Sequence, residues 1–187
     1  MSTRDLTLIA LFTAIIVALG ALPPISLGFI PVPITAQSMG VMLAGCIIGA
    51  KRGALAYLLL ILLVAVGLPV LSGGRGGLAV LVGPTAGFIA GWVVGTYLTG
   101  LIAEKLVRDG QPAPKQMLGF FLASIAGGIG LVYLFGIVWL AFSTGMGLEK
   151  AAIGSLAFIP GDLVKAVIAT LAARAVMVGY PLLPQRA

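Results

Sequence analysis

The sequence predicts an all-α integral membrane protein, a single domain of six transmembrane helices over residues 1–187 with both termini in the cytoplasm. Three observations predict it. Hydrophobic residues make up 60% of the chain and Asp, Glu, Lys and Arg only 9%, whereas soluble domains carry about 25% charged residues. Residues 6–50 hold no charge at all, a run too long for one span of about 17–25 residues. The Lys and Arg residues then fall in short segments between apolar runs, as they do beside membrane helices.

The elements follow from apolar length and from proline. The first helix runs from about Leu6 to Leu22 and stops at Pro23-Pro24. Arg4 precedes it, but no small-residue cleavage site follows, so it reads as a retained helix rather than a signal peptide. Pro31 and Pro33 separate it from a second helix, about Thr35–Ala50. Lys51-Arg52-Gly53 is expected to form the turn into a third helix, about Gly53–Leu68, that ends at Pro69. A glycine-rich segment, 69–82, leads to a fourth helix, about Gly83–Ala103, with Pro84 in its first turn. A polar loop carrying Glu104, Lys105, Arg108, Asp109 and Lys115 precedes the fifth helix, about Gln116–Ser143. After Glu149 and Lys150 the sixth begins near Pro160 and ends near Val178.

Six helices place Arg4, Lys51, Arg52, Lys105, Arg108, Lys115, Arg174 and Arg186 on one side, against Arg75 and Lys150 on the other. Lys and Arg favour the cytoplasmic side, so the loops 23–34 and 69–82 face out. The net charge of +6 is therefore read as a topology signal and not as a nucleic-acid surface. Histidine is absent, acids number five and Cys46 is alone. That composition speaks against enzymatic acid–base chemistry, metal centres, cofactor sites and disulfides. No internal repeat supports an inverted-repeat carrier.

Small residues recur every four positions on several helices: Gly83, Gly87, Gly91 and Gly95 on the fourth, Gly119, Ala123 and Gly127 on the fifth, Ala10, Ala14 and Ala18 on the first. Such spacing gives one smooth face, which in lipid usually serves close helix packing. The first helix could instead present its face to another membrane protein.

Two ionisable residues sit where they are costly. Asp162 and Lys165 lie within the sixth helix near its outer end, three apart and so able to pair. Charges at membrane depth mark functional sites by default, although a structural ion pair or a helix-dipole effect would also place an acid there. Ser72-Gly73-Gly74-Arg75-Gly76-Gly77 surrounds one guanidinium with flexible backbone, a setting suited to a carboxylate or phosphate. Its loose G-x-G-x-x-A pattern lacks a βαβ context, so it is not a dinucleotide site. Thr35, Gln37 and Thr85 belong to the outer ends of other helices, and Phe88, Trp92, Tyr133, Trp139 and Phe158 are available as apolar walls. Together these outline an outward-facing pocket for a small ligand with polar ends and an apolar middle. Substrate-binding candidates are Gln37, Arg75, Thr85, Phe88, Tyr133, Asp162 and Lys165.

The stretches Pro31-Val32-Pro33-Ile34-Thr35-Ala36-Gln37, Gly67-Leu68-Pro69, Gly73-Gly74-Arg75-Gly76-Gly77-Leu78, Gly83-Pro84-Thr85-Ala86-Gly87-Phe88 and Pro160-Gly161-Asp162-Leu163-Val164-Lys165 resemble the BioY family, the biotin-specific S components of energy-coupling factor (ECF) vitamin transporters. The resemblance covers nearly the whole chain. Ala86 departs from the Gly expected after Gly-Pro-Thr. The resemblance implies a six-helix S component in a prokaryotic cell membrane that captures biotin from outside. It implies as partners a transmembrane T component and two cytoplasmic ABC ATPases. It also implies that Ala14 and Ala18, with Ala10 one turn earlier, contact the T component, and that Asp162 and Lys165 are the family's acid and lysine. Asp162 can accept from biotin's ureido N–H groups, Lys165 can donate to its carbonyl, and Arg75 or nearby amides can meet its carboxylate. An S component for another vitamin, and a solitary biotin carrier without the energising module, are the alternatives.

Overall fold

A computed structural model describes residues 1–184; Arg186, counted above among the cytoplasmic charges, lies outside the described residues. Five long apolar helical stretches are present: Thr3–Gly20, Ala36–Ala65, Ala86–Leu106, Ala113–Thr144 and Leu148–Gly179. Among the described residues there is no strand, only isolated bridges at Ile25–Ile34 and Leu71–Arg75.

Helix α1 (Thr3–Gly20) opens on a capping box. The Asp5 amide donates to Ser2 Oγ at 3.2 Å and the Ser2 amide to Asp5 Oδ2 at 2.8 Å. Arg52 Nε reaches Asp5 Oδ1 at 2.7 Å, which ties the start of α1 to the next element. Ile9, Phe12, Thr13, Ile16 and Gly20 are buried, while Ala10, Ala14 and Ala18 stay exposed. The alanine face is thus not used for packing within this chain.

A 3₁₀ turn (Ala36–Ser38) leads into α2 (Met39–Ala65), which reverses at Gly49. Gly49 has φ +82° and ψ 180°, open to glycine and strained for other residues. The two arms run antiparallel: a Cβ at Gly40 would lie 2.6 Å from Tyr57 Oη, and one at Gly53 would lie 3.2 Å from the Ala44 carbonyl carbon. The reversal expected at Lys51-Arg52-Gly53 therefore falls earlier, at the residue that tolerates positive φ. Glu104 also departs from expectation. Helix α3 (Ala86–Leu106) starts and ends three residues later than the sequence suggested, so Glu104 is helical and buried. Its Oε1 accepts the Ala50 N–H at 2.8 Å, satisfying an orphan amide where the second arm starts.

The glycine face of α3 packs as the four-residue spacing suggested. Cβ atoms at Gly91 and Gly95 would meet the Val132 oxygen at 3.0 Å and the Gly127 oxygen at 2.6 Å. Gly83 precedes the helix and takes no part in this contact. The expected fifth helix is three pieces: α4 (Ala113–Ala123), a π-helical stretch (Ser124–Leu131) and α5 (Val132–Thr144). Gly127 and Gly128 sit in the π stretch, where the chain meets α3 and Met42 closely. Short helix α6 (Leu148–Ser155) and a 3₁₀ turn (Leu156–Phe158) replace most of the expected outer loop and run into α7 (Ile159–Gly179).

Candidate substrate pocket

The elements converge on one cavity that is partly open to solvent. Its walls are residues 32–35, Gln37 and Ser38 before α2, Leu71 and Arg75 of the glycine-rich segment, the first turns of α3, Gly128 and Val132-Tyr133 at the join into α5, and Phe158, Asp162 and Lys165. All seven substrate-binding candidates, Gln37, Arg75, Thr85, Phe88, Tyr133, Asp162 and Lys165, lie on this cavity.

Asp162 and Lys165 pair as their spacing suggested. Lys165 Nζ donates to Asp162 Oδ1 at 2.7 Å and to Ser38 Oγ at 2.9 Å. The other carboxylate oxygen, Oδ2, accepts the Tyr133 hydroxyl at 2.7 Å. Ser38 in turn donates to the Thr35 carbonyl at 3.3 Å. The network joins α7, α5 and the entry to α2, and Asp162 is only 5% exposed. A buried ion pair adds little net stability once its desolvation is counted. Its value is that it presents a fixed acceptor and a fixed donor side by side. Each carboxylate oxygen has a lone pair left, and the ammonium a third N–H.

Phe88, Tyr133 and Phe158 form an edge-to-face triangle, with centroids 6.4, 6.1 and 6.3 Å apart and planes 76–87° to one another. Trp92 lines the same cavity and its ring stacks obliquely on Tyr57 at 5.6 Å. Trp139, also offered as a wall, is elsewhere: its indole N–H donates to the Gly83 oxygen at 2.9 Å and it lines a separate apolar groove between α3 and α5.

Arg75 is half-buried, and its Nε donates to the Ser72 oxygen at 3.1 Å. Burial pulls its guanidinium below the ordinary value, yet an arginine stays charged. Among the described residues its terminal nitrogens meet no protein acceptor. Gln37 is fully buried, and its amide bonds the Val70 oxygen at 2.8 Å and the Ser72 N–H at 3.1 Å.

Ser38 is the polar residue that the sequence reading missed. Its partner is 127 positions away, and no local pattern announces such a pair. Leu71, Val32 and Val132 were missed as walls because aliphatics in an apolar chain carry no distinguishing mark.

A family model described as "BioY family" matches residues 1–181. The chain belongs to the BioY family. A BioY protein of Rhizobium etli, named biotin transporter BioY, is 65% identical over 187 residues, covering all of both chains. The biotin transporter BioY of Rhodobacter capsulatus is 52% identical, over 92% of this chain and 93% of that one. Among solved structures, the S component for biotin from an ECF-type ABC transporter superposes with a TM-score of 0.87 at 35% identity, covering 95% of each chain. The BioY relatives are transporters and not enzymes, and the fold is that of an S component. With its long apolar helices, this BioY chain is a multi-pass membrane protein.

Proposed function

We propose that this chain takes up biotin, as the substrate-binding S component of an ECF-type ABC transporter in a prokaryotic cell membrane. The observation that carries the reading is the aromatic-walled cavity holding Asp162, Lys165 and Arg75 together, in a chain whose relatives are named biotin transporters. The ureido ring offers two N–H donors and one carbonyl acceptor, complementary to Asp162 and Lys165. The thiophane ring and valeryl chain suit the walls of Phe88, Tyr133, Phe158 and Trp92. Arg75, at the loop end of the cavity, is assigned the carboxylate, and Thr85 completes the ligand contacts, with Gln37 buried in the wall.

The reading extends to topology and partners. The reversal at Gly49 divides the longest apolar stretch of the amino-terminal half in two, which supports six crossings. The Lys and Arg asymmetry supports cytoplasmic termini. The uncovered Ala10, Ala14 and Ala18 face supports docking on a T component served by two cytoplasmic ABC ATPases, since small residues let helices approach closely. The test is a mass spectrum of small molecules retained by the purified protein, with calorimetric titration of biotin. A retained biotin and saturable binding are expected. A different retained vitamin with no biotin binding would overturn the reading.

A further inference from the structure

Gln37 is unlike the other polar residues on the cavity. It has 0% exposed surface, whereas Asp162, Thr85 and Tyr133 keep 5%, 7% and 9%. A side chain with no accessible surface cannot touch a ligand without moving. Its amide is instead spent on backbone: Nε2 donates to the Val70 oxygen and Oε1 accepts the Ser72 N–H, two residues apart on one loop. Its own carbonyl accepts the Tyr57 hydroxyl at 2.9 Å, which anchors it to α2.

That loop leads directly to Arg75. The Ser72 carbonyl accepts the Arg75 Nε at 3.1 Å. Leu71 and Arg75 exchange backbone hydrogen bonds at 3.0 and 3.2 Å. Ser72, whose N–H Gln37 holds, is thus the residue whose carbonyl orients the guanidinium. The last residue of α1 leaves room for the grip: a Cβ at Gly20 would lie 2.5 Å from Gln37 Nε2 and 2.8 Å from the Val70 oxygen.

We infer that Gln37 is a positioning residue that makes no contact with the ligand, clamping Val70–Ser72 so that Arg75 is held ready for the ligand's carboxylate. The inference rests on the biotin reading above. A clamp acting through Arg75 matters only when Arg75 has a carboxylate to meet, and that separates it from a general support of the fold.

The experiment compares biotin with biotinamide, whose carboxylate is replaced by a neutral amide, by calorimetry on wild type, Gln37→Leu, Arg75→Ala and the double variant. Gln37→Leu is expected to weaken biotin at least tenfold and biotinamide less than threefold. In the Arg75→Ala background the same change is expected to cost biotin less than threefold. Equal losses for both ligands, or additive losses in the double variant, would overturn the inference. Should Gln37→Leu not fold, Gly20→Ala, which presses on the clamp from α1, takes its place with the same expected split. Wild type that binds neither ligand would count against the biotin reading alone. The clamp would then be judged by hydrogen exchange at the Ser72 amide, with faster exchange in Gln37→Leu supporting it and unchanged exchange refuting it.

Discussion

Replacing Asp162 by Asn changes one atom and tests the proposed ureido site most directly. In the structure both carboxylate oxygens are engaged, Oδ1 by Lys165 and Oδ2 by Tyr133, each at 2.7 Å. Asn keeps one acceptor and turns an NH₂ toward either Tyr133 or the ureido N–H groups, where donor faces donor. It also leaves the Lys165 ammonium, with 14% side-chain exposure, without its counter-charge. A hydrogen bond to a charged group contributes about 1.5–3 kcal/mol, so loss of one predicts biotin binding weaker by about ten- to 150-fold, at about 1.4 kcal/mol per decade. Tyr133→Phe removes a bond to the same carboxylate, also of the charged-group kind, but one made within the protein that leaves both Asp162 oxygens free to accept from the ligand, so it should cost biotin less than Asp162→Asn. The assay is equilibrium calorimetry on detergent-solubilised variants, with monodispersity checked first because breaking a buried pair destabilises by about 3–5 kcal/mol. Wild-type biotin affinity in well-folded Asp162→Asn would reduce the pair to a structural bridge. A larger loss in Tyr133→Phe than in Asp162→Asn would refute the ordering of roles.

Three further predictions follow from other parts of the molecule. In a Cys46→Ala background, a cysteine at exposed Asp109 should resist an impermeant reagent added from outside, and one at exposed Lys150 should react; the reverse pattern would invert the topology. Ala14→Trp with Ala18→Trp should abolish co-purification with the T component and ATPases while biotin affinity stays within twofold, because bulk is added only on an uncovered face. Gly49→Ala should lower stability by about 1–3 kcal/mol, the cost of a strained φ. Thermal unfolding in detergent should register it, since the new Cβ would also lie 2.6 Å from Glu104 Oε1.

What could be read from the residues, and what could not, divides along a physical line. Asp162 and Lys165 stood out because charge in an apolar run is costly and a spacing of three fixes their relative position. Arg75 stood out because glycines surround it. Both signals are local. The turn into the second arm of α2 was misplaced by two residues because Lys51 and Arg52 look like a loop, whereas the chain turns where positive φ is available, at Gly49, and Glu104 of a distant helix completes that turn. The π stretch at Ser124–Leu131 was invisible for the same reason. Its glycines fit an ordinary helix equally well, and the close approach to α3 decides their geometry. Ser38 and Gln37 illustrate the limit within the site: one adjoins the other in sequence, yet the first holds Lys165 and the second holds a loop, and only tertiary contact distinguishes them. Trp139 fails in the opposite direction, a conspicuous residue whose indole is satisfied by Gly83 outside the cavity.

The ion pair carries a consequence for energetics across the bilayer. Three charged residues line the cavity, Arg75, Asp162 and Lys165, and two of them cancel. The wall therefore carries one net positive charge, which a ligand with a single carboxylate would balance. Carrying one elementary charge through the membrane potential involves about 2.3 kcal/mol per 100 mV. On the proposed reading, the three wall charges together with a bound monocarboxylate would add no net charge to be carried across that field. The same arithmetic sorts ligands: a cationic vitamin would leave two uncompensated positive charges in the cavity, and a dianion one negative. On the proposed biotin reading, the charge of the wall favours a monoanion over a cation or a dianion.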